Sequence, residues 1–173
     1  IMLLAYYIAM VNIESAFHAE RLAQQLPDQH NDRENSLYVP FPGGVLTDTF
    51  QTSEDNDTMD QSVFTANSER VRRQNEQPIT VIIANPPYSA GQKSANENNA
   101  NDHYETLDSR IEETYAATSS SSNKRQIYDS YIRAFRWASD RIAGANRDGK
   151  GVIGFVSGGG WLDNIAFDGF RKA

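Results

Sequence analysis

The chain has 173 residues, a formal net charge of -7 and no cysteine. This length suits one domain or part of one, and the lack of cysteine excludes disulfides, thiolate metal sites and a cysteine nucleophile and favours a cytoplasmic protein. The acidic balance is unfavourable for phosphate binding, so we expect most of any DNA-binding basic surface to lie on other parts of a larger protein.

The first predicted element is a helix over residues 2–25, which is apolar early and amphipathic later. Its apolar run from Ile1 to Val11 is too short to cross a bilayer and lacks the basic flank of a signal peptide, so it predicts a buried helix and no membrane contact. No capping residue precedes the helix. We therefore expect the chain to be a fragment of a longer polypeptide.

Two strands and a short helix are predicted next. The β-prone run over residues 45–50 predicts a short strand that carries the carboxylate of Asp48, and a short helix is predicted near residues 69–74. The continuous β-branched run over residues 79–84 is typical of a parallel strand that is covered on both faces.

The second half of the chain begins with a polar stretch over residues 89–125, which predicts a mobile insertion with helical character only at residues 104–117. A helix over residues 128–142, a buried strand over residues 151–157 and a helical start over residues 163–172 follow. This order predicts an α/β fold in one domain fragment, residues 1–173, with a partial, doubly wound and mainly parallel sheet.

The most informative motif is Asn85-Pro86-Pro87-Tyr88, which directly follows a predicted buried strand. An exocyclic adenine amine is a poor nucleophile, because its lone pair is delocalised into the ring. The Asn85 side-chain oxygen and the Pro86 carbonyl can accept its two N–H groups, and the prolines fix the carbonyl direction. Tyr88 can stack on a base that has been extruded from the duplex. The motif therefore predicts amino methylation.

This tetrapeptide resembles the catalytic motif of DNA adenine-N6 methyltransferases. The wider sequence resembles the methyltransferase domain of large single-polypeptide restriction-modification proteins that also carry a helicase-like ATPase; the runs that carry this resemblance are residues 82–92, 128–137 and 154–157. The resemblance implies a Rossmann-like fold, S-adenosylmethionine as cofactor, and DNA and the other domains of the polypeptide as partners.

The resemblance also implies further site residues. Asp48, within the run that includes Thr49 and Phe50, matches the acidic position that binds the cofactor's adenine amine, and Asn85 also borders the cofactor. Tyr128 and Asp129 match a helix-start motif that lines the cofactor and target pocket. The family's glycine-rich cofactor loop is not found before the first helix. We therefore expect this chain by itself to be inactive.

Three readings of the function remain open. The tetrapeptide is shared by protein glutamine-N5 methyltransferases, and the polar residues 89–125 favour a nucleic acid only modestly. The sheet could also be the scaffold of a noncatalytic nucleotide-binding or interaction module. The three histidines, His18, His30 and His103, show no metal-ligand spacing, so no metal site is predicted.

Overall fold

A computed structural model of the chain describes residues 3–24, 38–54, 65–87, 103–145 and 149–173. These residues form two compact units, which are described separately: those up to Asp48 together with residues 65–75, and those of 49–54 together with residues 76 onward. The helices are α1 (Leu3–Gln24), α2 (Thr65–Glu76), α3 (Glu105–Ile111), α4 (Ser130–Ala145) and α5 (Asp168–Lys172), and the strands are β1 (Val81–Ala84) and β2 (Val152–Phe155).

Helix α1 confirms the predicted first helix, but the prediction that its apolar start is buried is wrong. Leu4 and Val11 are 70% and 69% exposed. Within its unit the helix is held through its second half: the Glu14 carboxylate accepts hydrogen bonds from Tyr38 Oη at 2.6 Å and from the Phe41 backbone N–H at 3.1 Å. Phe17 also packs edge-on against Phe41, with 5.4 Å between the ring centroids. Polar and aromatic contacts of its second half thus both hold the helix in its unit.

The predicted strand over residues 45–50 is not formed in the structure. The backbone N–H and C=O of Leu46 are both bonded to the side-chain amide of Asn67 on α2, each at 2.8 Å. A side chain thus satisfies the two groups that a neighbouring strand would have paired. The β-prone run is an irregular segment that is anchored to a helix.

Strands β1 and β2 confirm the other two predicted strands, with shorter bounds, and they pair in parallel with Val81 opposite Val152 and Ala84 opposite Phe155. The prediction that both faces of this sheet are covered is wrong for the described residues. Helix α4 packs on one face, where the rings of Phe135 and Phe155 lie 4.9 Å apart. On the other face Ile83 is 82% exposed.

The core of the second unit is built by α3, α4 and the segment after β2. Helix α3 runs on into a π-helical turn, Glu112–Ala116, which confirms the predicted helical character of residues 104–117. Residues 89–102, the first part of the predicted polar insertion, lie outside the described residues. Two apolar clusters result, one formed by Ile111, Tyr115, Ile127, Tyr131, Ile132, Ala166 and Phe167, the other by Phe50, Tyr104, Leu107 and Ala134.

The fold is therefore mixed α/β, as predicted, and its described sheet has two parallel strands. A short 3₁₀ turn, Ile165–Phe167, precedes α5, so the predicted closing helix begins later than residue 163. Among the described helices, none has the length and apolar character that a membrane span requires.

Candidate active site

The candidate site begins where β1 ends. Asn85 and Pro86 follow Ala84 directly, and the Ala84 carbonyl still accepts a hydrogen bond from the Val156 N–H at 3.0 Å. Proline has no N–H to continue the ladder, which explains why pairing stops here. Pro86 is buried, whereas Asn85 and Pro87 are exposed. The turn thus anchors itself through one proline and presents the Asn85 amide at the rim of the sheet.

Tyr88, the fourth residue of the predicted motif, lies outside the described residues. Its predicted stacking on a base stays a prediction. The acceptor pair that the motif predicts, the side chain of Asn85 and the carbonyl of Pro86, lies within the described part of the chain.

A second loop lies beside this turn, at the end of β2. It contains Ser157 and the 3₁₀ turn Gly159–Trp161. The indole N–H of Trp161 donates to Ser157 Oγ at 3.2 Å. The indole ring itself packs on Phe135 and Phe170, at centroid distances of 5.9 and 5.5 Å. The predicted strand over residues 151–157 included Ser157 without any role; the signal that could have indicated one was a hydroxyl four residues before a tryptophan at a strand end.

Tyr128 and Asp129 lie where the 3₁₀ turn Arg125–Tyr128 meets α4. Asp129 is buried, its carboxylate accepts the N–H of Tyr131 at 3.4 Å, and its carbonyl accepts the N–H of Ile132 at 3.0 Å. These bonds satisfy backbone donors at the start of the helix. Asp129 therefore has a structural role as a helix cap, and its predicted place in a ligand pocket stays a prediction.

The tyrosines around this helix start have altered acidity. Burial, followed by the nearby negative charge of Glu112, raises the pKa of Tyr128. Burial and the charge of Asp129 raise the pKa of Tyr131 to about 12. Both phenols are therefore neutral near pH 7, and Tyr131 belongs to the apolar core.

The predicted cofactor residues at positions 48–50 are divided between the two units. Asp48, which is half-buried, lies in the first unit, and Thr49 and Phe50 lie in the second. The Thr49 carbonyl accepts the hydroxyl of Thr52 at 2.6 Å. Phe50 is 9% exposed and packs edge-on against Tyr104, with 5.3 Å between the ring centroids. Phe50 thus contributes to the core, and its predicted cofactor contact stays a prediction.

A polar cavity of about 510 Å³ lies near the N-terminus of α3. Within it the Glu54 carboxylate accepts the backbone N–H groups of Thr106 and Leu107, at 2.8 and 3.1 Å. None of the predicted catalytic residues that the structure describes lines it; its walls are Gln51, Glu54, His103, Glu105, Thr106, Ser109 and Arg110.

Solved structures similar to this chain include two restriction-modification enzymes. The ATP-dependent Type ISP restriction-modification enzyme LlaBIII, bound to DNA, is 45% identical with a TM-score of 0.80, and the match covers 99% of this chain and 10% of LlaBIII. A nuclease-deletion mutant of the Type ISP enzyme LlaGI, in complex with a DNA substrate mimic, gives the same identity, TM-score and coverage of this chain, and 13% coverage of LlaGI.

A cryo-EM structure of a DrdV–DNA complex is 40% identical with a TM-score of 0.74, and the match covers 99% of this chain and 15% of DrdV. The chain thus spans only a small part of each of these proteins. No protein-family model and no curated protein matches it significantly. The three likenesses support a domain of a restriction-modification protein.

Proposed function

We propose that this chain is the part of a DNA restriction-modification enzyme that receives the target adenine for methylation at N6. The observation that carries the proposal is the turn at the end of β1, where buried Pro86 fixes the backbone and Asn85 is exposed at the sheet rim. Ligands of open α/β sheets bind at the carboxyl ends of the strands. The likeness to enzymes solved with DNA supports a DNA base as the substrate.

The chemistry that this turn offers is orientation of an amine. Asn85 Oδ1 and the Pro86 carbonyl each accept one N–H of the adenine amine, which draws the nitrogen lone pair out of conjugation with the ring. The lone pair would then attack a sulfonium-bound methyl group, the carbon–sulfur bond would break to leave a neutral thioether, and the amine proton that is lost afterwards would go to solvent. The rigid proline turn holds both acceptors in place before the substrate arrives, so little reorganisation is needed during the reaction.

S-adenosylmethionine, when bound, supplies the electrophilic methyl group. In the second unit, the exposed amide of Asn85 suits a position between cofactor and base. For Asp48, in the first unit, a contact with the cofactor's adenine amine remains what the motif resemblance implies. Further cofactor contacts are proposed to come from the rest of the polypeptide, since the chain spans 10% to 15% of the DNA-bound proteins it resembles.

Substitution of Asn85 tests the proposal in the full polypeptide that contains this chain. Asn85→Ala removes one acceptor for the amine, and we expect methyl transfer to unmethylated DNA to fall by about 100-fold or more. Asn85→Asp keeps an acceptor oxygen and should retain more activity than Asn85→Ala. The readout is transfer of a labelled methyl group, followed by mass spectrometry of the digested nucleosides. Asn75→Ala, at an exposed asparagine of α2, is the matched control.

The same assay separates the competing functions. N6-methyladenine in the DNA supports the proposal. Methylation of a glutamine-bearing protein but not of DNA would indicate a protein glutamine-N5 methyltransferase. A polypeptide that binds DNA without transferring any methyl group, and that is unchanged by Asn85→Ala, would indicate a noncatalytic module.

A further inference from the structure

We propose that Ser157 is a base-positioning residue, which donates a hydrogen bond to a ring nitrogen of the target adenine, and that Trp161 sets the direction of this bond. The inference rests on the proposed adenine methylation and names a further residue of the same site. It starts from the hydrogen bond between Trp161 Nε1 and Ser157 Oγ, at 3.2 Å.

The first step concerns which partner donates. An indole N–H can only donate, so Ser157 Oγ must be the acceptor in this bond, and its own hydrogen is left for another partner. Among the residues that the structure describes, none accepts a hydrogen bond from the Ser157 hydroxyl. Ser157 is thus a half-buried serine whose hydroxyl hydrogen no described residue accepts.

The second step concerns position. Ala84 is paired with Phe155, and pairing continues for one residue beyond the strands, because the Val156 N–H still bonds to the Ala84 carbonyl. When this parallel register is extended, Pro86 lies level with Ser157. The loop that carries Ser157 thus lies next to the turn that carries the two proposed acceptors, at the same edge of the sheet.

The third step concerns rigidity. The Trp161 ring is nearly perpendicular to Phe170, at 88°, and also contacts Phe135. Its backbone carbonyl accepts a bond from Arg171 Nη1 at 2.7 Å. Because the indole is held on its ring and its backbone, the bond that it donates restricts the rotation of the Ser157 hydroxyl. This arrangement gives the O–H a preferred direction before a base enters.

The chemistry of adenine completes the argument. Its N1 is bonded to the carbon that carries the amine, N7 lies on the other side of the amine and one ring carbon further away, and both nitrogens are acceptors. An extruded base loses the water at these atoms, and the acceptor pair of Asn85 and Pro86 cannot replace it through its oxygens. A hydroxyl donor at the rim supplies the missing partner. Loss of such a bond to a desolvated acceptor weakens the binding of the base.

The test uses the full polypeptide and DNA whose modified site has been mapped. We expect Ser157→Ala to lower kcat/KM for DNA about five- to tenfold, with KM for S-adenosylmethionine unchanged within about twofold. Ser157→Thr, which keeps a side-chain hydroxyl, should retain most of the wild-type kcat/KM. Ser139→Ala is the matched control, since it removes a half-buried serine hydroxyl that bonds to the Phe135 carbonyl within α4.

A second set of measurements separates positioning from structural support. Trp161→Phe keeps the ring but loses the N–H, and its effect should not add to that of Ser157→Ala, because both act through one hydroxyl. With 1-deazaadenine or 7-deazaadenine at the target, one analogue should make Ser157→Ala and wild type equally active. A loss that persists with both analogues, or no loss with adenine, overturns the inference. A wild type that transfers no methyl group to DNA overturns the proposed function as well.

Discussion

The carboxylate of Asp168, at the start of α5, gathers several donors in a small space. It accepts Ser119 Oγ at 2.6 Å, the Ser120 N–H at 3.0 Å and Lys172 Nζ at 2.8 Å, and also the Ser120 hydroxyl. These donors, with the Lys172 bond as the largest cause, followed by those of Ser119 and Ser120, hold the pKa of Asp168 well below its usual range. One ionised side chain thus ties the segment after the π-helical turn to the last helix.

The lowered pKa of Asp168 predicts a pH dependence of stability. A carboxylate whose folded-state pKa is depressed stabilises the fold fully above its unfolded pKa of about 3.9, and that contribution is lost as the pH falls below this value. We expect Asp168→Asn to lower the denaturant midpoint at pH 6. The difference in midpoint between the variant and wild type should become smaller as the pH falls from 4 to 3. Equilibrium unfolding at a series of pH values measures this; a constant gap over the whole series would contradict it.

At the scale of elements, α3 and α4 are joined by a buried ion pair. Arg133 Nε and Nη2 donate to the two carboxylate oxygens of Asp108, both at 2.8 Å, and the side chains are only 9% and 13% exposed. The guanidinium also lies over the ring of Tyr104, 5.4 Å from its centroid. The pair is bidentate and largely excluded from solvent. Removal of one partner therefore leaves the other charge buried without its main counter-ion.

A double-mutant cycle on this pair tests that account. Asp108→Ala and Arg133→Met should each lower the free energy of unfolding by about 3 kcal/mol. The double variant should lower the free energy of unfolding by clearly less than the two single effects added together, because it leaves no unpaired charge in the interior. Urea unfolding provides the measurement. Glu113→Ala, which breaks a largely exposed pair with Arg110, is the control and should cost less than about 1 kcal/mol. Additive effects at Asp108 and Arg133 would refute the coupling.

At the scale of the whole molecule, one face of the sheet carries apolar side chains without cover from the described residues. Val81, Ile83 and Val152 are 55%, 82% and 63% exposed, and their positions in the register place them on the same face. A contiguous apolar patch of this kind favours association with another surface. The sequence predicts a sheet that is covered on both faces, whereas in the described part of the chain this face is exposed.

The exposed face predicts how the chain behaves when it is produced by itself. We expect concentration-dependent self-association, and we expect Ile83→Thr combined with Val152→Thr to reduce it, because threonine keeps the preference for a strand while removing apolar surface. Leu162→Thr, at a residue that is 62% exposed outside the sheet, is the control. Sedimentation velocity over a range of concentrations measures the effect. Equal association of all variants would show that another surface is responsible.

Local sequence patterns predicted the long helices, the two strands that form and the position of the Asn85-Pro86 turn. Helical periodicity predicted α1 and α4, and β-branched runs predicted β1 and β2, because these signals depend on neighbours in the chain. The position of Asn85 and Pro86 after a strand could be predicted for the same reason, since proline ends a ladder wherever it occurs. The mixed α/β class follows from the order of these elements.

Only the tertiary structure decided how side chains distant in sequence pair. Asn67 bonds to Leu46, 21 residues away, and so replaces the predicted strand with an anchored segment. The Ser157 donor likewise depends on the parallel register of β1 with β2, and on the aromatic packing of Trp161. Sequence by itself determined which backbone conformation, helical or extended, each segment prefers. The fold determined which polar atoms meet, because hydrogen-bond partners are set by position in space and not by spacing along the chain.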